Sequence, residues 1–270
     1  MKKIIKYLLS PSIKNIIKKY VLNNRATSKN IKIIEHMELD FIFSRLHSKK
    51  KLKMLEIGSH KGEIFNIIQQ NNFSHKFHIV CIEPNPESFK VLKKKYSRKI
   101  KNIADVYFHN FGISNEDKVL TFYSPSSSSA LFTMEKENLE KFKLHNEIVN
   151  EVEIQTYKIE TLLFKNFLEN YYDIIKIDAE GFDYEISLQI IENNILFDNL
   201  MIEVDIFKFN LLSKVITALN EHTAYVFFRD GIKTLTIEKF DDIKKLKELL
   251  ETNQEYAISP IAGNIVFVKN

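Results

Sequence analysis

The chain has 270 residues, 44% hydrophobic, 27% charged and 12% aromatic, a composition that excludes disordered, collagen-like and membrane-spanning classes and fits a globular domain with a large core. Its net charge of +4 is unevenly spread, because residues 1–53 hold 14 Lys and Arg against Glu35, Glu38 and Asp40, a net +11, and residues 54–270 therefore carry −7. Only four of the 39 basic residues are arginine, the planar group that best grips guanine and phosphate, so a nucleic-acid partner is not expected.

In chain order, residues 1–22 place Ile4, Ile5, Leu8, Leu9, Ile13, Ile16, Ile17 and Val21 at helical spacing among lysines. No apolar run there is long enough for a spanning helix or a secretory core. A basic amphipathic helix can lie against an anionic inner-membrane surface or pack as a cap on the domain. The expected location is the cytoplasm, with that peripheral contact as an option.

From Leu52 onward, short apolar runs alternate with amphipathic segments, the signature of an α/β fold with a mostly parallel sheet. Strands are predicted at 53–57, 77–83, 104–109, 172–178, 199–204, 223–229 and 264–268, the last antiparallel. Helices fill 62–71, 86–97, 157–170, 181–194, 210–220 and 241–251. An insertion at about 113–156 contains a strand at Val119 to Tyr123, a Ser-rich loop at Ser124 to Ala130, a helix at Leu131 to Glu147 and a strand at Val152 to Thr156. The predicted organisation is a basic helical extension over 1–50 and a Rossmann-like domain over 51–270, with a local hairpin strand at Leu235 to Ile237 after a Gly231 turn.

Glycine is scarce: six residues, where average usage of about 7% gives roughly 19. Two of them, Gly58 and Gly62, follow the first strand, where a glycine lets a ligand approach the backbone and the next helix offers unpaired N–H groups. Glu56 occupies the first glycine position of the dinucleotide fingerprint. A carboxylate there repels a diphosphate but suits the ammonium and sulfonium of S-adenosylmethionine.

The second strand ends in Glu83-Pro84-Asn85-Pro86. A carboxylate 25 residues after Gly58 can accept both ribose hydroxyls of an adenosine, with Asn85 facing the base. The third ends in His109-Asn110-Phe111-Gly112, with Asn110 or the Phe111 backbone near the adenine edge and the Phe111 ring read first as core. The fourth gives Lys176-Ile177-Asp178-Ala179-Glu180-Gly181, three charges at period two on the carboxyl edge where open α/β sheets bind ligands. Burial of three charges for stability alone is costly. With Glu203 and Asp205 on the next strand, the cluster can supply a general base or hold a divalent cation such as magnesium through Asp178, Glu180 and Glu203. The base is preferred.

These motifs, together with Thr161-Leu162, resemble in order those of FkbM-family methyltransferases over about 52–205. The resemblance implies a seven-stranded Rossmann-like (class I methyltransferase) sheet with helices on both faces, S-adenosylmethionine as cofactor, and transfer to a hydroxyl of a sugar or natural product, here a small-molecule or glycan substrate of surface-glycan biosynthesis. It further implies cofactor contacts from Glu56, Gly58, Ser59, Gly62, Glu83, Pro84, Asn85, Asn110, Phe111 and Asp178, and catalytic roles for Asp178, Glu180 and Lys176. Ser59-His60-Lys61 departs from the family's usual Ala-Asn-apolar, and a cation at Lys61 would be unfavourable beside a sulfonium unless it points away. The other readings are a nicotinamide-dependent oxidoreductase and a non-catalytic cofactor-binding module recruited to a membrane surface.

Overall fold

The computed structural model describes residues 37–46, 49–70, 76–97, 104–126, 131–141, 148–228, 234–237, 240–252 and 261–270. The basic helix expected over 1–22, the Gly231 turn and the second half of the Ser-rich loop lie outside them.

The first described elements are helix α1 (Met37–Arg45), strand β1 (Lys51–Ile57), helix α2 (Glu63–Gln70), β2 (Lys76–Ile82), α3 (Pro86–Tyr96) and β3 (Ala104–His109). The insertion follows as β4 (Gly112–Ile113), β5 (Val119–Pro125), α4 (Lys136–Lys141) and β6 (Val149–Tyr157). After α5 (Ile159–Phe164) come β7 (Tyr171–Ile177), α6 (Asp183–Glu192), β8 (Leu196–Asp205), a 3-10 turn over Ile206–Lys208, α7 (Phe209–Ala218), β9 (His222–Phe228), β10 (Thr234–Ile237), α8 (Phe240–Thr252) and β11 (Ile261–Lys269).

The main sheet has the order β10-β9-β11-β8-β7-β1-β2-β3. Strands β3, β2, β1, β7 and β8 are parallel neighbours, and β11 runs antiparallel between β8 and β9. The seven expected strands are all present. The short Leu235 strand, as β10, pairs antiparallel with β9 and extends the edge. Chain order reverses between β1 and β7, which opens a crevice at their carboxyl ends.

Central strands read as continuous apolar runs because both faces are covered. Leu55, Ile57, Val80, Ile175 and Ile177 pack on one side with Ile186, Leu212 and Leu246 from helices. Met54, Ile79, Cys81 and Ile174 pack on the other with Ile64, Phe65, Leu92 and the α1 residues Leu39, Phe41 and Ile42. The described part of the 1–50 extension is therefore woven into the core, where Leu39, Phe41, Ile42 and Phe43 are all buried. Among the described residues, no helix is long and apolar enough to cross a membrane.

The insertion departs from expectation. β5 and β6 pair antiparallel and β6 also takes β4, making a separate sheet in the order β4-β6-β5. Residues 131–135 are not helical: Thr133 bridges Tyr123, and Phe132 stacks on Phe122 with ring centroids 5.1 Å apart. That pairing satisfies the backbone and buries two rings together, which outweighs the helical periodicity of the segment. The expected 157–170 helix is likewise short, because Tyr157 still belongs to β6 and Asn166 turns out of the helix at φ +56°.

Candidate active site

A cavity of about 740 Å³ opens at the carboxyl ends of β1, β2, β7 and β8. Its walls carry Glu56, Gly58, Glu83, Pro84, Lys176, Asp178, Glu180 and Glu203 from the predicted set. The acids that end these strands thus share one cavity.

The strand ends are tied laterally. Gly58 and Ser59 N–H groups donate to Ile82 O, Glu83 N–H to His109 O, and Asp178 N–H to Ile57 O at 2.9 Å. Gly58 needs φ +80°, and a Cβ there would lie 1.8 Å from Asp178 O. Only glycine lets the β1 and β7 ends close to this distance.

Glu83 is buried with its carboxylate held at both ends, Oε2 accepting from His60 N–H at 2.6 Å and Oε1 from Asn85 N–H at 2.8 Å. Burial pushes the carboxyl up to about 7, against those two donors and the nearby His60. Glu56 is buried more completely, with the Cys81 thiol 3.9 Å from Oε2. Burial pushes it up to about 8, against the pull of Lys176.

Lys176 Nζ donates to Asp178 Oδ2 at 2.9 Å. Burial works against its charge, but Asp178, Glu56 and Glu203 outweigh that and hold the ammonium protonated well above its ordinary range. Lys176 is therefore the fixed counter-ion of the acid cluster. Glu180 adopts φ +48° beside Gly181, turning the chain back toward α6.

Several predicted residues serve the scaffold. Ser59 Oγ donates to Glu56 O, and its carbonyl accepts from Gly62 N–H, closing the first turn. Gly62, at φ +82°, lets that turn pack on Tyr96, Leu92 and Phe65. Asn85 does not face the cavity: its Oδ1 caps α3 by accepting from Glu87 and Ser88 N–H, the ordinary fate of an Asn before a proline-led helix. Asn110 Nδ2 donates to the Glu83 and Pro84 carbonyls and so braces the second turn. The Phe111 ring is core, edge-on to Tyr157 at 5.2 Å. Asp205 caps the 3-10 turn through Phe207 N–H. Among the described residues no three His, Cys, Asp or Glu side chains converge on one point, so Asp178, Glu180 and Glu203 do not come together as a three-carboxylate ligand set. Lys61 is not among the cavity-lining residues.

Other residues emerge only from the fold. His60 and Glu63 line the cavity, with His60 Nδ1 3.1 Å from Glu63 Oε1. Asp183 is buried and accepts from Ala179 and Gly181 N–H, shaping the turn that carries Asp178 and Glu180. Burial, reinforced by the Asp178 charge, raises its carboxyl to about 6. Phe122, Phe132 and Met134 bring the insertion over the cavity as an apolar roof, and Glu38 of α1, accepting from Asn264 Nδ2 at 2.9 Å, closes the far end. An acid two residues past a glycine, opening a helix, was a readable signal for Asp183; the others required pairing partners distant in sequence.

The strand order, the reversal between β1 and β7 and the acids at that point define a Rossmann-like methyltransferase fold. Residues 56–241 match the family described as the methyltransferase FkbM domain. The chain belongs to the FkbM methyltransferases, a family dependent on S-adenosylmethionine. Its fold is similar to FkbM from Methylobacillus flagellatus KT, at 12% identity and a TM-score of 0.42 over 95% of this chain and 58% of that one. It is also similar to the plantazolicin methyltransferase BpumL, solved with a triazolic desmethylPZN analog and SAH (13% identity, TM-score 0.41, 97% of this chain and 92% of that one). A third likeness is a precorrin-6y C5,15-methyltransferase from Geobacter metallireducens GS-15 (10%, TM-score 0.38, 91% and 90%). The chain spans 58% of the length of the Methylobacillus protein. No curated protein matches it in sequence.

Proposed function

We propose that the chain transfers a methyl group from S-adenosylmethionine to a hydroxyl oxygen of a sugar, within the biosynthesis of a surface glycan or related natural product. The observation that carries the reading is the convergence of Glu56, Glu83 and Asp178 on one cavity, beside a glycine whose missing Cβ lets the backbone close up. Those residues fit the donor. Glu83, steadied by two backbone N–H groups, is an acceptor for ribose hydroxyls, and Glu56 favours the cationic amino-acid end. A nicotinamide cofactor would bring a diphosphate against the same acid.

When bound, S-adenosylmethionine supplies an electrophilic methyl whose leaving group is a neutral thioether. The protein's task is then to place the hydroxyl in line and remove its proton. Asp178 does this. Its carboxylate would take the proton of the hydroxyl that accepts the methyl group, while the Lys176 contact to Oδ2 fixes its orientation. Glu180 and Glu203 line the same wall and can accept hydrogen bonds from neighbouring hydroxyls, which favours a polyhydroxyl acceptor.

Asp178→Asn keeps the size and the Lys176 contact but removes the base. It should lower methyl transfer by about 100-fold or more, with S-adenosylhomocysteine affinity unchanged by calorimetry. Mass spectrometry of surface glycans from a strain carrying this variant should show the loss of one methyl group. Wild-type transfer by the variant would remove Asp178 from its role, and unaltered glycans would overturn the sugar acceptor.

A further inference from the structure

We propose that Lys208 is a positioning residue that latches the apolar roof of the cavity to the turn carrying Asp178. This deepens the methyl-transfer reading and rests on it. Lys208 ends the 3-10 turn after β8, and its side chain is only 15% exposed. Its ammonium makes three contacts to three separate parts of the chain. One goes to Glu135 Oε1 at 2.6 Å, next to the roof residue Met134; one to the carbonyl of Gly181; one to Glu185 Oε1 at 3.4 Å on α6.

Each of the two segments it joins is also anchored within itself. The roof is held to its own sheet by the Tyr123–Thr133 pairing and the Phe122–Phe132 stack. The turn is held from within by Asp183, through the Ala179 and Gly181 N–H groups. A compact ammonium with three donors can serve a backbone carbonyl and two carboxylates at once. Both carboxylates keep it charged despite its burial. Lys208 therefore sets the distance between Phe132 and Met134 above and Asp178 and Glu180 below, the gap an acceptor must enter.

Amide hydrogen exchange on the full chain tests this. Lys208→Met should accelerate exchange at least tenfold in both 131–136 and 179–183, with β1 and β2 unchanged, and Lys208→Arg should restore both segments to within threefold. Glu135→Gln should loosen 131–136 alone. Unchanged exchange in the Met variant, acceleration of only one segment, or no difference between the Met and Arg variants overturns the latch. Should Lys208→Met accelerate exchange throughout and so report a lost fold, Glu135→Gln decides: unchanged exchange at 131–136 overturns the proposal. Calorimetry of the wild-type chain with S-adenosylhomocysteine separates the two claims, because absence of binding would overturn the methyl-transfer reading while leaving the exchange result standing.

Discussion

Glu83 shows how one side chain can carry both structure and binding. Its two oxygens are already engaged by the His60 and Asn85 N–H groups, yet each has a second lone pair for a ribose hydroxyl. That capacity exists only in the ionised form, and burial places the group near 7, with Glu56 near 8. Binding of a cationic donor should therefore release protons. S-adenosylmethionine affinity should rise from pH 6 to pH 8, by at most about tenfold per unit for one linked proton. Calorimetry in two buffers of different ionisation enthalpy checks it, and a flat profile would remove both acids from the binding step. Glu83→Gln should weaken binding about 10- to 100-fold at pH 8 and take away part of the slope. Both acids were legible in the sequence, since each ends an apolar run and precedes a glycine or proline. Asn85 was misread because an Asn before Pro86 has two calls on its side chain, and the helix cap, being local, wins.

At the level of elements, the turn after β1 rests on two glycines in the left-handed region, Gly58 and Gly62, but they differ in what surrounds them. A Cβ at Gly58 meets backbone, Asp178 O at 1.8 Å, whereas at Gly62 it meets the ends of Tyr96 and Leu92 side chains at 2.6 and 2.7 Å. Gly112 has no unusual φ, and its obstruction is the Phe122 ring at 2.9 Å. Gly58→Ala should therefore cost about 2–5 kcal/mol, from left-handed strain plus overpacking against a strand that cannot move. Gly112→Ala should cost about 1 kcal/mol, as the ring can tilt. Urea unfolding with unchanged slopes measures both, and the reverse order would contradict the contact between the β1 and β7 ends. The parallel strands were readable because burial on both faces writes a continuous apolar run. In the insertion the two longer strands were readable as well, but 131–135 was not, because it takes its conformation from Tyr123 and Phe122 across a sheet of its own. β4, two residues long, leaves no periodicity to read.

For the molecule as a whole, the domain gathers its acids where burial penalises them. Glu56, Glu83 and Asp183 all have carboxyl groups raised above their ordinary range, to about 8, 7 and 6. A raised acid binds its proton more tightly folded than unfolded, so the stability it contributes is complete below the unfolded value, 4.5 for the glutamates and 3.8 for the aspartate, and is lost as pH rises through the folded one. Lys176 does not add to this window, since its own acids hold it protonated throughout. Glu63 and Asp117 are lowered and act in the opposite direction below pH 5, and burial lowers His109 and His222, which add stability as pH rises toward 6.5, so the decline due to the three acids stands alone only above that value. The ligand-free protein should lose thermal stability from pH 6.5 to pH 8.5. Glu56→Gln, which removes the largest of the three shifts, should flatten that decline and raise the melting temperature at pH 8.5. Saturating S-adenosylmethionine should do the same by a different route, because its positive charge stabilises the ionised acids that the empty pocket leaves facing one another. Thermal melts across this pH range, with and without the donor, measure all three arms. A wild-type melting temperature that climbs with pH would show that these carboxyl groups are not desolvated, and with that the electrostatic case for a cationic donor at this edge of the sheet would fall.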